Sequence, residues 1–280
     1  MKKKFIITIT FSALLFLSSC NENEPAYSSN SKGGLMPGRF SVSPTRCVQF
    51  AQGNLQYNAK QDCWRFANNQ WNIVGLENNK IALDYDGWID LFGWGTGTNP
   101  TNVSVDDSDY ANYIEWGDNP IVNGGNESKK WTTMEKSDWE YLLLQRNNAR
   151  ALQGLGAVHG INGLILLPDD WQPIEDVKRF NSEEVNFYDN IFTGTDWDKM
   201  EKAGAIFLPA AGMRALQVSE GICNNTIDVN EYVQYWTSTL DALHPGQAYL
   251  IEFFAADGMR VTYGCCHYGQ SVRLVQYGTK

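Results

Sequence analysis

The sequence predicts an α+β fold in which many short strands accompany a few helices. Three observations support this class. Segments that alternate apolar and polar residues dominate the chain, two apolar runs are bounded by Gly and Pro, and helical spacing is confined to two segments. The sequence has no internal repeat, no heptad pattern and no regular strand–helix–strand rhythm, which argues against a solenoid, a coiled coil or a parallel α/β sheet.

Two segments are predicted to be helices. Residues 135–146 place apolar side chains at helical spacing, with Thr133 or Ser137 available as a capping residue, and residues 196–203 form a shorter segment of the same kind. The apolar positions on the two helical faces are Trp139, Leu142, Leu143, Trp197 and Met200.

The predicted strands are concentrated around these helices and in the last third of the chain. Residues 87–102 have Gly and Pro at the density of turns and are predicted to form a long ordered loop. The strands are predicted at residues 47–50, 53–57, 163–168, 204–209, 233–239, 247–254, 259–263 and 271–275.

The N-terminus has the features of an export signal. Three lysines at positions 2–4 precede an uncharged segment, residues 5–17, that is too short to span a bilayer as a helix. The sequence Leu-Ser-Ser-Cys that ends at Cys20 resembles a bacterial lipobox. We therefore expect residues 1–19 to be a lipoprotein signal peptide and Cys20 to be the lipidated first residue, which attaches the protein to a membrane through a lipid anchor. The alternative is an ordinary secretory signal with an incidental Cys.

Residues 20–38 are predicted to be a flexible acylated stalk, because residues 25–38 are rich in Ser, Asn, Gly and Pro and offer little apolar surface to bury. The Asn-Glu-Asn-Glu sequence at 21–24 resembles the surface-export signal of Bacteroidetes lipoproteins, although a solvated acidic tether explains it almost as well. We expect the outer membrane as the location, with the cell surface favoured over the periplasmic face.

The charge balance excludes one class of partner. The chain contains 22 basic and 32 acidic residues, and without the three N-terminal lysines 19 basic residues remain, for a net charge of −13. Nucleic acid repels a protein with this charge, so we expect no nucleic-acid partner.

Five cysteines remain besides Cys20, and an odd number requires at least one free or intermolecular thiol. Export permits disulfides, and Cys47 with Cys63 is the preferred pair. Cys265 and Cys266 are adjacent, and a disulfide between neighbours strains the intervening peptide.

Seven phrases in order along the chain resemble the Fibrobacter major paralogous domain and its Bacteroidetes relatives. The phrases are WRFA at 64–67, IDLFGWGT at 89–96, WTT at 131–133, LLPDDW at 166–171, FLPAAGMR at 207–214, YWTS at 235–238 and GQSVRLV at 269–275. The resemblance covers roughly residues 45–276 and implies a C-type-lectin-like fold related to the formylglycine-generating enzymes. It implies a twisted, mostly antiparallel sheet with two flanking helices and long ordered loops, in a single domain at residues 39–280.

The same resemblance raises an enzymatic alternative. Formylglycine-generating enzymes oxidise a substrate Cys with copper and a pair of cysteines, and Cys265 and Cys266 lie in the corresponding stretch. In this chain the two are adjacent instead of separated, and the arginine-rich context is missing. We therefore expect no catalytic residues, and a formylglycine-generating-enzyme-like oxidase that uses Cys265 and Cys266 stays as the alternative.

The expected function is ligand binding or adhesion, directed at an extracellular glycan or protein, and a purely structural cell-envelope protein is a further alternative. The run Tyr-Gly-Cys-Cys-His-Tyr at 263–268 consists of residues whose codons derive from an Asn codon by replacement of adenines, the signature of diversity-generating retroelements. This segment resembles the hypervariable region of their lectin-fold targets, and ordinary drift in a surface loop is the alternative. The expected ligand-binding residues are Tyr263, Cys265, Cys266, His267 and Tyr268, with His244 and Tyr249 beside them. Tyr263, His267 and Tyr268 should be exposed, whereas Val272 and Leu274 should be buried.

No metal site is expected. Three consecutive ligands at 265–267 would not converge, because neighbours on a strand point to opposite faces. Calcium, which is common in lectin-like folds, could use oxygens of Asp228, Asn230 and Glu231, but the pattern is weak, and no cofactor is predicted.

Overall fold

A computed structural model describes residues 31–183, 186–255 and 258–280 of the chain. The predicted signal peptide at 1–19, the predicted lipidation site Cys20 and residues 21–30 of the predicted stalk lie outside the described residues.

The described chain is a mixed α+β protein that consists mainly of short strands. Two α-helices, α1 (Lys136–Glu140) and α2 (Gly194–Lys202), are accompanied by short 3-10 turns. The strands are β1 (Phe40–Ser41), β2 (Arg46–Phe50), β3 (Leu55–Asn58), β4 (Cys63–Phe66), β5 (Trp88–Ile89), β6 (Gln153–Val158), β7 (Ile161–Leu166), β8 (Ile191–Phe192), β9 (Ile206–Pro209), β10 (Met213–Gln217), β11 (Ile222–Ile227), β12 (Val233–Leu240), β13 (Gln247–Phe254), β14 (Gly258–Cys265) and β15 (Val275–Thr279).

The strands form several small sheets instead of the one twisted sheet that was expected. Their orders are β1-β2-β15, β4-β3-β5, β8-β6-β7-β9, β10-β11 and β12-β13-β14. Every pairing is antiparallel except that of β6 with β8. Many short connections explain this division, since each sheet ends where the chain turns away after a few residues.

The β12-β13-β14 sheet separates two apolar cores. Side chains that alternate along a strand point to opposite faces. Tyr235 and Ile251 belong to the core that also contains Trp139 of α1, whereas Trp236 and Leu250 belong to the other. Both faces of the sheet are therefore buried around Tyr235 and Ile251, which we call its inner part. The end of the sheet that carries Tyr249 and Tyr263, which we call its outer end, is the part available to a ligand.

Helix α1 is shorter than the predicted segment at 135–146. It continues as a π-helical turn, Tyr141–Gln145. Neither Thr133 nor Ser137 caps it, because the backbone N–H of Lys136 donates to Thr239 Oγ1 at 3.0 Å. A residue from β12 therefore caps the helix, which local sequence does not reveal. The second helix, Gly194–Lys202, contains the predicted segment at 196–203 except for Ala203, with Trp197 and Met200 buried as expected.

Residues 270–275, which we name the framework segment, are buried throughout. Val272 and Leu274 are fully buried, as predicted. The predicted strand at 271–275 is wrong, because β15 begins only at Val275. The backbone of the framework segment bonds to several separate parts of the chain: Phe92 with Gln270, Trp236 with Ser271, Leu55 with Val272 and Ala51 with Leu274.

Two predictions near the N-terminal end of the domain need correction. Met36 is fully buried in the first core, and Leu35 forms a bridge to Ala51, so residues 35 and 36 of the predicted stalk pack against the domain. Cys47 is a free thiol, so its predicted disulfide with Cys63 is wrong. The two residues lie in different sheets, Cys47 on β2 and Cys63 on β4, and nearness in sequence did not bring them together.

Candidate functional site

Three of the expected ligand-binding residues form a compact group at the outer end of the β12-β13-β14 sheet. Tyr249 on β13 lies directly opposite Tyr263 on β14. His244, in the turn between β12 and β13, stacks on Tyr263 with ring centroids 4.5 Å apart and an interplanar angle of 23°. Tyr249 meets Tyr263 edge to face at 6.3 Å. We name His244, Tyr249 and Tyr263 the aromatic cluster.

The aromatic cluster is open to solvent. Tyr263 is 43% exposed, and the His244 side chain is 46% exposed. Ring pairs in stacked and edge-to-face contact hold one another in defined orientations. The cluster therefore offers a preorganised surface that a ligand could contact at a small entropic cost.

Two residues that the sequence analysis did not select fix the cluster. The buried carboxylate of Asp241 accepts a hydrogen bond from His244 Nδ1 at 2.7 Å, and this bond lowers the pKa of Asp241 below its ordinary value. Lys136 of α1 places its Nζ 3.9 Å from the centroid of the Tyr249 ring, a cation–π contact. Asp241 is close enough in sequence to His244 to have been found, but Lys136 is far away in sequence.

His267 and Tyr268 lie in the turn after β14 and are only half-buried. Their rings meet edge to face at 5.0 Å, and His267 Nδ1 lies 3.2 Å from Asp107 Oδ1. The His267 side chain is 16% exposed, so the expectation of large exposure is met by Tyr263 but by neither His267 nor Tyr268.

Asp107 connects this turn to the aromatic cluster. Its carboxylate lies against Gly246, where an added Cβ would be 2.2 Å from Asp107 Oδ2, and Gly246 has a φ of +76°. The positive φ favours glycine at 246, whereas the exposed Asp107 side chain can rotate away from an added Cβ. Nothing in the sequence indicated that Asp107 contacts residues from the C-terminal end.

The two adjacent cysteines have different environments. Cys266 is buried in the second core, and burial raises the pKa of its thiol to about 12. Its assignment to the exposed recognition surface is therefore wrong, because the chain turns inward at this residue, where its N–H donates to the carbonyl of Gly246 and its carbonyl accepts from Trp94 N. Cys265 is half-buried, and burial together with the Asp107 charge raises its thiol pKa. Both thiols stay protonated at neutral pH, unlike the activated thiolates of redox-active cysteines.

Arg214 is hydrogen-bonded to the turn at 266–269. Its side chain is fully buried and donates to the carbonyls of Cys223, Asn102 and Leu91. Its backbone pairs with Gly269 through two hydrogen bonds of 2.8 Å. Burial lowers the pKa of this guanidinium. The turn that carries His267 and Tyr268 is thus hydrogen-bonded to a fully buried residue.

Among the described residues, no three His, Cys, Asp or Glu side chains are grouped so as to hold a metal ion. The residues considered for calcium form a turn. Asn230 Oδ1 accepts from the backbone of Asn162 at 2.7 Å, and the N–H of Glu231 donates to the carbonyl of Asp228. In the same part of the chain, no helix has both the length and the apolar character needed to cross a bilayer.

Comparisons of the chain with protein-family models, with curated proteins and with solved structures found no match.

Proposed function

We propose that this chain is a lipid-anchored, surface-exposed lipoprotein that binds an extracellular glycan or protein ligand with the aromatic cluster. The domain that carries the cluster is proposed to be C-type-lectin-like and related to the Fibrobacter major paralogous domain. The observation that supports the proposal is the stacked and partly exposed group of His244, Tyr249 and Tyr263 on the end of a sheet whose inner part is buried on both faces.

The rings of the aromatic cluster contact one another, but Tyr263 and His244 leave much of their surface in water. Burial of the apolar part of that surface against a ligand is favourable. Tyrosine and histidine combine a large contact area with few rotatable bonds and a polar tip, which suits recognition of a glycan or a protein surface.

Binding tests this proposal. The full-length chain in detergent would be measured against a glycan array and against a panel of extracellular proteins. Tyr263→Ala should weaken binding of any ligand found by at least about tenfold, a loss of ~1.4 kcal/mol. Tyr188→Ala is the matched control, because Tyr188 is 75% exposed but lies outside the cluster. Equal binding by both variants would contradict the proposal. Copper-dependent oxygen consumption with a Cys-containing peptide, lost in Cys265→Ser, would favour the oxidase instead.

The anchor has its own test. We expect Cys20→Ala to move the protein from the membrane fraction to the soluble fraction, because the acyl chains supply most of the free energy of membrane attachment. A Lys32→Ala variant, which keeps Cys20, should stay with the membrane. Membrane association of Cys20→Ala at the wild-type level would show that the lipid assignment is wrong.

The proposal extends to diversification of the segment at 263–268. Sequencing of the gene's surroundings tests it: we expect a near-copy of the last coding stretch beside a reverse-transcriptase gene. A locus without such a copy would assign the unusual composition of this segment to ordinary drift.

A further inference from the structure

The two outer strands of the β12-β13-β14 sheet differ in whether their free edges are covered. On β12, backbone groups that point away from β13 are bonded: Ser271 bonds to Gln234 and Trp236, and the N–H of Ser238 donates to Met134. The β12 residues that make these bonds, Gln234, Trp236 and Ser238, are even-numbered. The odd-numbered residues of β12 therefore bond to β13.

The same alternation fixes the orientation of β14. Odd-numbered residues of β13 face β12, so its even-numbered residues bond to β14, where Leu250 pairs with Thr262 and Glu252 with Arg260. The next pair along this ladder agrees, because the N–H of Cys266 donates to the carbonyl of Gly246 at 2.9 Å. The backbone N–H and C=O groups of Met259, Val261 and Tyr263 therefore point away from the sheet.

Among the described residues, the outward groups of Met259, Val261 and Tyr263 have no backbone partner outside the sheet. β14 pairs eight consecutive residues with β13 in one register. By contrast, β10 and β11 pair with a register shift, and β11 is covered where the N–H of Cys223 donates to Val103. A long, regular and uncovered edge strand is unusual, because folded proteins normally shorten, bulge or cover such edges.

From this edge we infer that the ligand is an extended polypeptide segment that adds to β14 as a fourth strand. The inference rests on the proposed function and assigns the ligand class of the same surface. The outward donors and acceptors recur every second residue, about 7 Å apart, and an extended polypeptide backbone presents complementary groups at that repeat.

The aromatic cluster adds side-chain contacts to this pairing. Tyr263 belongs both to the edge and to the cluster, so a strand bound along β14 has alternate side chains beside its ring. Val261 and Met259 lie on the same face, packed against the first core. Backbone pairing would supply affinity and the rings would supply selectivity.

The negative charge of the chain indicates which kind of polypeptide could bind along β14. The chain has a net charge of −10, so a second copy of it is repelled. The exposed carboxylate of Asp107 beside His267 adds negative potential near the end of β14. The segment that fits is therefore a neutral or basic strand from another protein.

The test removes one outward N–H without removing a bond of the sheet. Val261→Pro deletes an outward donor, and proline is tolerated on an edge strand when its nitrogen faces solvent. Val261→Thr keeps the N–H and the β-branched shape and is the matched control. The probe is a phage-displayed library of random linear peptides, selected on the full-length chain, followed by affinity measurements with the selected synthetic peptides.

We expect selected peptides to bind Val261→Pro at least about tenfold more weakly and Val261→Thr within about twofold of wild type, because proline leaves a peptide carbonyl unpaired. Circular dichroism must show that both variants are folded, and hydrogen exchange of the wild-type chain provides a readout without mutation. Peptide binding should slow exchange at Met259, Val261 and Tyr263.

Equal affinity for Val261→Pro and Val261→Thr, unchanged exchange at those amides, or a library that yields no binder would each overturn the inference. A ligand that depends on the Tyr263 ring but tolerates Val261→Pro would leave the proposed function standing without strand addition. A ligand that ignores Tyr263→Ala would remove the proposed function itself.

Discussion

Strand β14 and the framework segment are neighbours in sequence but are embedded in the molecule in opposite ways. Among the described residues, β14 bonds to another strand along one side only, and it carries Tyr263, which is 43% exposed. The framework segment is buried throughout and bonds to separate parts of the chain. Substitutions should therefore be tolerated at Tyr263, His267 and Tyr268, whereas the buried Cys266 and residues 269–275 should tolerate few.

The largest expected effect concerns the stability of the framework segment. Leu274→Ala should lower the free energy of unfolding by about 2–5 kcal/mol, because it leaves a cavity in the second core. Tyr263→Ala should lower it by less than about 1 kcal/mol, since the ring lies at the surface. Urea unfolding of the two variants measures both. A loss at Tyr263 equal to that at Leu274 would show that the aromatic cluster belongs to the core.

A smaller effect concerns the rates at which Cys265 and Cys266 react with a thiol reagent. These two residues lie where β14 ends and the chain turns toward the framework segment. With N-ethylmaleimide at neutral pH, Cys265 should be labelled at least about tenfold faster than Cys266, because the Cys266 thiol is buried and its pKa is raised to about 12. Peptide mass spectrometry after short labelling times reads each site separately. Equal labelling rates would place both thiols on the surface and restore Cys266 to the recognition residues.

The parts that sequence reasoning found are those that depend on local pattern. Alternation located β13, whose bounds agree with the prediction at 247–254, and it identified Val272 and Leu274 as buried. The α+β class and the small number of α-helices also follow from local spacing. Each of these properties depends on which side of a short segment is apolar.

The parts that it missed depend on contacts between distant residues. The cap of α1 comes from Thr239, and Asp107 reaches the turn after β14 across 160 positions of sequence. The division into several sheets and the partners of the framework segment are likewise set by tertiary packing. Asp241 was within reach of local reasoning, because it lies three residues before His244.

The central claim is that the stability of the framework segment does not depend on the proposed recognition residues. The most direct measurement randomises single codons at His244, Tyr249, Tyr263, His267 and Tyr268 and at residues 270–275, displays the variants on cells and sorts them for protease resistance. We predict that most substitutions at the first set keep wild-type resistance, whereas most substitutions at 270–275 abolish it. Comparable losses in the two sets would contradict the account, because the aromatic surface would then be part of what holds the fold together.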